Sequence, residues 1–110
     1  MSESYKLIIL PQAQQDMREI SLYIAQDLSA PQAAVRLVAE FQKAIRSLEH
    51  MPQRVKTIDE EPWGSAGVRK IRVNNYYIYF VIDEEEEAVK ISAVIYIRRD
   101  QYKQIEEKLF

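Results

Sequence analysis

The stretch VRKIRVNNYYIYFVI, residues 68–82, decides the fold because it predicts two strands joined at Asn74-Asn75. Successive side chains of a strand point to opposite faces of a sheet, so the stretch separates into two unlike sets. The apolar set is Ile71, Val73, Tyr76, Ile78, Phe80 and Ile82. The other set is Lys70, Arg72, Tyr77, Tyr79 and Val81. One face of this sheet therefore needs a cover, and the other presents cations beside tyrosine rings.

A third strand, Val89 to Ile97, extends both sets by the same alternation. It adds to the apolar face Val89, Ile91, Ala93, Ile95 and Ile97. It adds to the opposite face Lys90, Ser92, Val94, Tyr96 and Arg98. We call the basic-aromatic face the set Lys70, Arg72, Tyr77, Tyr79, Tyr96 and Arg98, with Arg69 and Arg99 nearby. Cations interleaved with tyrosines suit nucleic acid or an acidic protein partner.

The first half of the chain predicts the cover for the apolar face. Tyr5 to Leu10 is a short strand of the same sheet, followed by an amphipathic helix from about Gln12 to Leu28. A second helix runs to about Glu49, with Ser29 as the N-cap of a capping box. The apolar stripes are Ala13, Met17, Ile20, Ile24 and Leu28, and then Ala34, Leu37, Val38, Phe41, Ile45 and Leu48. So short a connection predicts an antiparallel helical hairpin.

The predicted fold class is α+β, with the order β-α-α-β-β-β and a C-terminal helix, in a single domain over residues 1–110. Its sheet is small and mostly antiparallel, and the helical hairpin packs on one face. We expect a loop at Gln53 to Gly67 and a C-terminal helix from Arg99 to Phe110, with Asp100 as its cap. A core that unites Leu37, Phe41, Ile45, Ile78 and Phe80 would test the arrangement.

The composition excludes several kinds of site. The 110 residues contain no cysteine, one histidine and two glycines, and the net charge is −2. These counts leave too little for a Ser-His-Asp triad, a zinc site or a glycine-rich phosphate loop, so we expect neither cofactor nor metal. The run Asp83 to Glu87 could hold a divalent ion, but adjacent carboxylates repel, which favours a solvated hairpin turn. No signal peptide or membrane-spanning stretch is evident, and we expect a cytoplasmic protein.

The basic-aromatic face is the candidate site, and two uses of it stay open. An exposed face with three tyrosines favours binding. Catalysis of RNA cleavage would require Lys70, Arg72 or Arg98 to stabilise a phosphate and a tyrosine such as Tyr96 to transfer a proton.

The order of elements resembles the RelE/ParE superfamily of toxins from type II toxin-antitoxin systems. Four segments carry the resemblance. They are Asp16 with Ile20, Tyr23 and Ile24; residues 29–34, with Ala44, Ile45, Leu48 and Pro52; residues 67–76; and Arg98-Arg99-Asp100. RelE-like members are ribosome-dependent mRNA endonucleases, whereas ParE-like members poison DNA gyrase. The nucleases usually carry an arginine where this sequence has Tyr77, and this departure argues against nuclease chemistry. Residues 29–34 and Arg98-Arg99-Asp100 are closer to the ParE pattern.

The resemblance implies a toxin that binds gyrase, stabilises a plasmid or chromosome, and is held by a cognate antitoxin. The alternatives are an mRNA endonuclease acting on the ribosome and a non-toxic binding module. The expected target-binding residues are Arg69, Lys70, Arg72, Tyr77, Tyr79, Tyr96, Arg98 and Arg99; for a nuclease the candidates are Lys70, Arg72, Tyr96 and Arg98. We expect no membrane partner, and contact with DNA only through the antitoxin. The antitoxin is expected to cover the helical hairpin, a sheet edge or both.

Overall fold

The structure is a computed structural model that describes residues 4–98 and 105–108. The strands are β1 (Lys6–Ile9), β2 (Arg69–Val73), β3 (Tyr76–Asp83) and β4 (Ala88–Tyr96). The helices are α1 (Pro11–Leu22), which continues as a π-helical turn (Tyr23–Asp27), and α2 (Pro31–Arg46), which continues as a 3-10 turn (Ser47–Glu49). A second 3-10 turn is Pro52–Arg54, and residues 105–108 are helical. The predicted α+β class is confirmed.

The four strands form one sheet in the order β1-β4-β3-β2. β2 pairs with β3 and β3 with β4 in antiparallel fashion, while β1 pairs with β4 in parallel, from Lys6 opposite Ala88 to Ile9 opposite Ile91. The prediction that the first strand belongs to the sheet is therefore confirmed. The sheet is mixed rather than purely antiparallel, because β1 and β4 enter it in the same direction.

The turn between β2 and β3 forms at Asn74-Asn75, as the sequence predicts. Val73 pairs with Tyr76, which leaves the two asparagines as the turn, and Asn74 has a positive φ of 53°. Asparagine tolerates this left-handed conformation better than most residues, and two-residue hairpin turns require it. The turn therefore sets the register in which Lys70 lies opposite Tyr79 and Arg72 opposite Tyr77.

The link between the two helices differs from the prediction. Ser29 has a positive φ of 52°, and its N–H donates to the carbonyl of Gln26. It thus terminates the first helix instead of capping the second. The N-cap of α2 is Ala30, which makes no side-chain cap, and Pro31 occupies the first turn. The capping-box prediction is wrong because the tight link needs a left-handed residue at this position.

The helical hairpin covers one face of the sheet, as predicted. The core between them contains Leu37, Phe41, Ile45, Ile78 and Phe80 together, all buried. The Phe41 ring meets the Tyr76 ring edge-on at 5.5 Å between centroids, an arrangement that aromatic pairs prefer. The test set for the fold is therefore united in one core.

A bulge in β4 changes which residues face the hairpin. Tyr79 pairs with Ala93 but Phe80 pairs with Ile91, so Ser92 has no partner on β3. One extra residue reverses the alternation beyond it. The predicted side of the sheet is confirmed for the side chains of Val89 and Ile91 and is wrong for the residues from Ala93 onward. Val94 lies in the core beneath the helical hairpin, whereas Ala93 and Ile95 lie on the opposite side.

The opposite face is covered as well, by a second core. This core consists of Ile58, Trp63, Val68, Tyr79, Ala93, Ile95 and Ile105. Trp63 comes from the predicted loop, which folds across the sheet and is held at one end by pairing of Thr57 with Arg69. Of the predicted C-terminal helix, Ile105 packs here, whereas Arg99, Asp100 and Phe110 lie outside the described residues. The predicted open face is wrong because this loop occupies it.

The predicted charged turn between β3 and β4 is confirmed, at residues 84–87. The Asp83 carboxylate accepts hydrogen bonds from the Glu86 N–H at 3.0 Å and from Lys90 Nζ at 3.1 Å. These two hydrogen bonds give the Asp83 carboxylate a structural role in the turn. In the described ranges 4–98 and 105–108, no three His, Asp or Glu side chains are grouped to hold a metal ion.

Protonation of Asp83 is expected to loosen this turn. The hydrogen bonds from the Glu86 N–H and from Lys90 lower the pKa of Asp83 from 3.8 to about 2. Because the folded-state pKa lies below the unfolded one, the stabilisation is complete above about pH 4 and is lost as the pH falls towards 2. Carbon-13 NMR titration of the carboxyl group should give a midpoint near 2. A midpoint at 3.8 would contradict the assignment, and Lys90→Met should raise the measured value.

Candidate functional site

A groove of about 1,230 Å³ opens between the helical hairpin and one end of the sheet, formed by the Asn74-Asn75 turn and the C-terminal end of β4. Its apolar wall comes from the hairpin, as Ile20, Tyr23, Ile24, Leu28 and Leu37. Tyr23 and Leu28 are 53% and 55% exposed, unusual for large apolar side chains beside a cavity. Tyr23 also begins the π-helical turn, and such turns are frequent at functional sites. The groove is therefore an apolar surface without a cover among the described residues.

The other end of the groove is basic and aromatic. It is formed by Arg72, Tyr76, Tyr96 and Arg98, which we call the basic end. The Tyr76 and Tyr96 rings lie 5.4 Å apart between centroids, and Arg72 Nε donates to the Asn74 carbonyl at 2.9 Å. Arg72 and Arg98 are exposed, so their charges are available to a ligand in the groove.

Asp16 is a buried acid at the wall of the groove and was not among the predicted site residues. Its residue is 3% exposed. Oδ1 accepts from Gln12 Nε2 at 2.8 Å and from Lys108 Nζ at 2.5 Å, and Oδ2 accepts from the Val94 N–H at 2.9 Å. The signal was available: Asp16 lies three residues after Ala13 and four before Ile20, on the buried stripe. An acid at such a position needs partners.

Three predicted site residues lie on the opposite side of the sheet. Lys70 Nζ sits 4.1 Å from the centroid of the Tyr77 ring, a cation–π contact. Tyr79 is fully buried in the second core, and burial raises the pKa of its phenol. The prediction of an exposed Tyr79 is wrong, because the Trp63 loop covers it. Its ring is available neither for stacking on a target nor for proton transfer.

Arg69 and Arg99 complete the predicted set. Arg69 Nη1 donates to the carbonyls of Gln53 and Val55, so this side chain holds the start of the loop that covers the second core. Arg99 lies outside the described residues. The structure thus brings Arg72, Tyr96 and Arg98 together in the groove, although Arg72 is also the cross-strand partner of Tyr77. Tyr96 and Arg98 are separated from Lys70, which lies over Tyr77 on the other side of the sheet. The single basic-aromatic face is wrong, because the Ser92 bulge turns Tyr96 towards the hairpin.

None of the helices within residues 4–98 and 105–108 has the length and hydrophobicity that a membrane span requires. The groove thus combines an apolar channel with two exposed arginines at one end.

Comparisons with known proteins agree with this architecture. One family model, described as the ParE toxin of the type II toxin-antitoxin system parDE, matches residues 7–101. A chain from the chromosomal ParDE system of P. aeruginosa superposes with a TM-score of 0.72 at 17% identity, over 88% of this chain and 100% of that one. A comparison with curated proteins found no match.

Solved RelE structures are also similar. A chain of the RelBE2 toxin-antitoxin complex from Mycobacterium tuberculosis gives a TM-score of 0.59 at 24% identity, over 87% of this chain and 94% of that one. A mutant of the E. coli toxin RelE in the free state gives 0.58 at 14% identity, over 92% of each chain. At these identities the likeness shows a common fold.

Proposed function

Because this chain belongs to the family of ParE toxins of type II toxin-antitoxin systems, we propose that it arrests growth by binding DNA gyrase. The proposed contact surface is the basic end of the groove, where Arg72, Tyr96 and Arg98 converge. Both arginines are exposed there and can make charge-assisted hydrogen bonds to an acidic or phosphate group. Because gyrase acts on the chromosome, the proposed location is the cytoplasm.

The separation of Lys70 from Tyr96 and Arg98 is the observation that carries this proposal. A nuclease needs an acid, a base and a cation within hydrogen-bond reach of one phosphate. Lys70 lies over Tyr77 on the loop side of the sheet, whereas Tyr96 and Arg98 line the groove on the hairpin side. Tyr79 is buried between sheet and loop. This division favours recognition by contact over cleavage of RNA.

We further propose that a cognate antitoxin occupies the apolar part of the groove. Tyr23 and Leu28 are exposed there, and Ile24 and Leu37 line the same wall. A channel of this kind accepts the apolar face of an amphipathic helix. An antitoxin segment that folds on binding would cover these side chains and hinder access to the adjacent basic end. The family description, a toxin of a type II toxin-antitoxin system, supports such a partner.

The test of the target is expression from a tightly controlled promoter, with and without the neighbouring open reading frame. The proposal expects growth arrest with loss of plasmid supercoiling, relieved by the neighbouring product. Purified protein should inhibit supercoiling by purified gyrase. Arrest with cleaved mRNA and unchanged supercoiling would support the endonuclease alternative instead. Normal growth and uninhibited gyrase would leave a non-toxic binding module.

Alanine at Arg72 or Arg98 is expected to weaken gyrase inhibition without unfolding the protein. Losing one charge-assisted contact should cost about 1.5–3 kcal/mol of binding. Exposed substitutions usually change stability by no more than about 0.5 kcal/mol. The measurements are half-inhibitory concentration and urea denaturation. Arg36→Ala replaces an exposed arginine on α2 that does not line the groove; it is the control and should match the parent. Undiminished inhibition by both variants would show that the target binds elsewhere.

A further inference from the structure

The apolar pattern at the C-terminal end of β4 does not by itself determine the register of this strand. Ala93, Val94 and Ile95 are all apolar and all buried, so hydrophobic burial discriminates weakly between two registers. With the bulge at Ser92, Val94 and Tyr96 lie on the hairpin side. Without it, Ala93 and Ile95 would lie there and Tyr96 would leave the groove. The basic end therefore depends on which register forms.

The Asp16 carboxylate distinguishes the two registers. Its Oδ2 accepts the Val94 N–H at 2.9 Å, so this N–H points away from β3 and towards α1. Backbone N–H groups alternate in direction along an antiparallel strand. In a strand without the bulge, the Val94 N–H would point towards β3. The Ala93 N–H would then point towards α1, at a different position along the strand from that of the hydrogen bond observed. The observed hydrogen bond therefore forms only in the register that turns Tyr96 into the groove.

The carboxylate is itself held firmly. Gln12 Nε2 and Lys108 Nζ both donate to Oδ1, and the Asp16 side chain is 1% exposed. Gln12 lies one helical turn before Asp16 on α1, and Lys108 belongs to the helical segment 105–108. A carboxylate held by donors on one oxygen presents the other in a fixed direction.

We propose that Asp16 is the positioning residue of the basic end: by accepting the Val94 N–H it fixes the β4 bulge and thereby turns Tyr96 and Arg98 into the groove. It touches no target itself and acts through the strand. This inference rests on the proposed function for its effect on gyrase, but its structural part stands without it. An ordinary buried ion pair with Lys108 would also stabilise the fold, yet it would not control the orientation of Tyr96.

Three variants separate the acceptor role from the ion pair. Asp16→Asn keeps an oxygen that can accept the Val94 N–H and loses the charge. Lys108→Met loses the cation and keeps the carboxylate. Asp16→Ala loses both interactions. The structural readouts are NMR contacts between the Tyr76 and Tyr96 rings and hydrogen exchange at the Val94 amide. The functional readout is inhibition of purified gyrase.

We expect Asp16→Asn and Lys108→Met to retain the Tyr76–Tyr96 contact and a protected Val94 amide, whatever their melting temperatures. Asp16→Ala should lose both and inhibit gyrase about 3- to 30-fold less well, the range expected for a change that acts through neighbouring residues. Loss of the ring contact in Asp16→Asn or in Lys108→Met would overturn the proposal, as would its retention in a folded Asp16→Ala protein. If Asp16→Ala does not fold, the first two variants still decide.

The two proposals fail in different ways. A parent protein that leaves gyrase uninhibited would contradict the proposed target, while the NMR contacts would still report on Asp16. Conversely, a parent that inhibits gyrase beside an Asp16→Ala variant with an unchanged Tyr96 ring would contradict the positioning role alone.

Discussion

Tyr79→Ala is expected to lower the free energy of unfolding by about 3–5 kcal/mol, the usual cost of deleting a buried aromatic ring. The Tyr79 ring is fully buried in the second core, between the sheet and the loop that carries Trp63. Its loss leaves a cavity that neither the strand nor Trp63 can fill without moving. Chemical denaturation with linear extrapolation measures the change.

Tyr23→Ala is the matched control for this prediction, because the same ring is removed from a site that is 53% exposed. It should change stability by no more than about 0.5 kcal/mol. A loss below about 1 kcal/mol for Tyr79→Ala would show that the loop does not pack on the sheet in solution. Lys70, Tyr77 and Tyr79 would then form an open face on that side of the sheet.

Phe41→Ala is expected to cost about 3–5 kcal/mol as well, by opening a cavity in the first core. Phe41 is fully buried between α2 and the sheet, where its ring meets Tyr76. Because Tyr76 also touches Tyr96, the substitution should disturb the basic end of the groove in addition to stability. Thermal or urea denaturation gives the first effect, and the ring contacts in NMR give the second.

Val35→Ala provides the comparison on the same helix. Val35 is 71% exposed, and alanine is the better helix former, so stability should stay within about 0.5 kcal/mol of the parent. If both substitutions cost equally little, the hairpin would not be packed on the sheet as described. The core that unites Phe41 with Ile78 and Phe80 would then be in doubt.

The periodic parts of the sequence predicted the periodic parts of the fold. Two helical stripes and three alternating strands were enough to place Leu37, Phe41, Ile45, Ile78 and Phe80 in one core. The Asn74-Asn75 turn was also readable, because asparagine accepts a positive φ. Helices, strands and two-residue turns are local features, so a few neighbouring residues determine them.

The parts that were missed depend on contacts between distant residues. Ser92 is compatible with a regular strand, so the bulge leaves no signature in composition, and it moved Tyr96 from one face to the other. The segment containing Trp63 has no period, and only the structure shows that it covers Tyr79. Asp16 was visible as an acid on a buried stripe, but its partners come from β4 and from residue 108.

The parallel pairing of β1 with β4 has a consequence for the timing of folding. β1 comprises residues 6–9, but its partner residues are 88–91, near the opposite end of the chain. A ribosome adds about 5–20 residues per second, so β1 waits for on the order of 10 s before its partner is made. Contacts so far apart in sequence also slow folding after release. The nascent chain therefore lacks a finished groove until β4 has been made, and any activity of that surface begins only after β4 has left the ribosome.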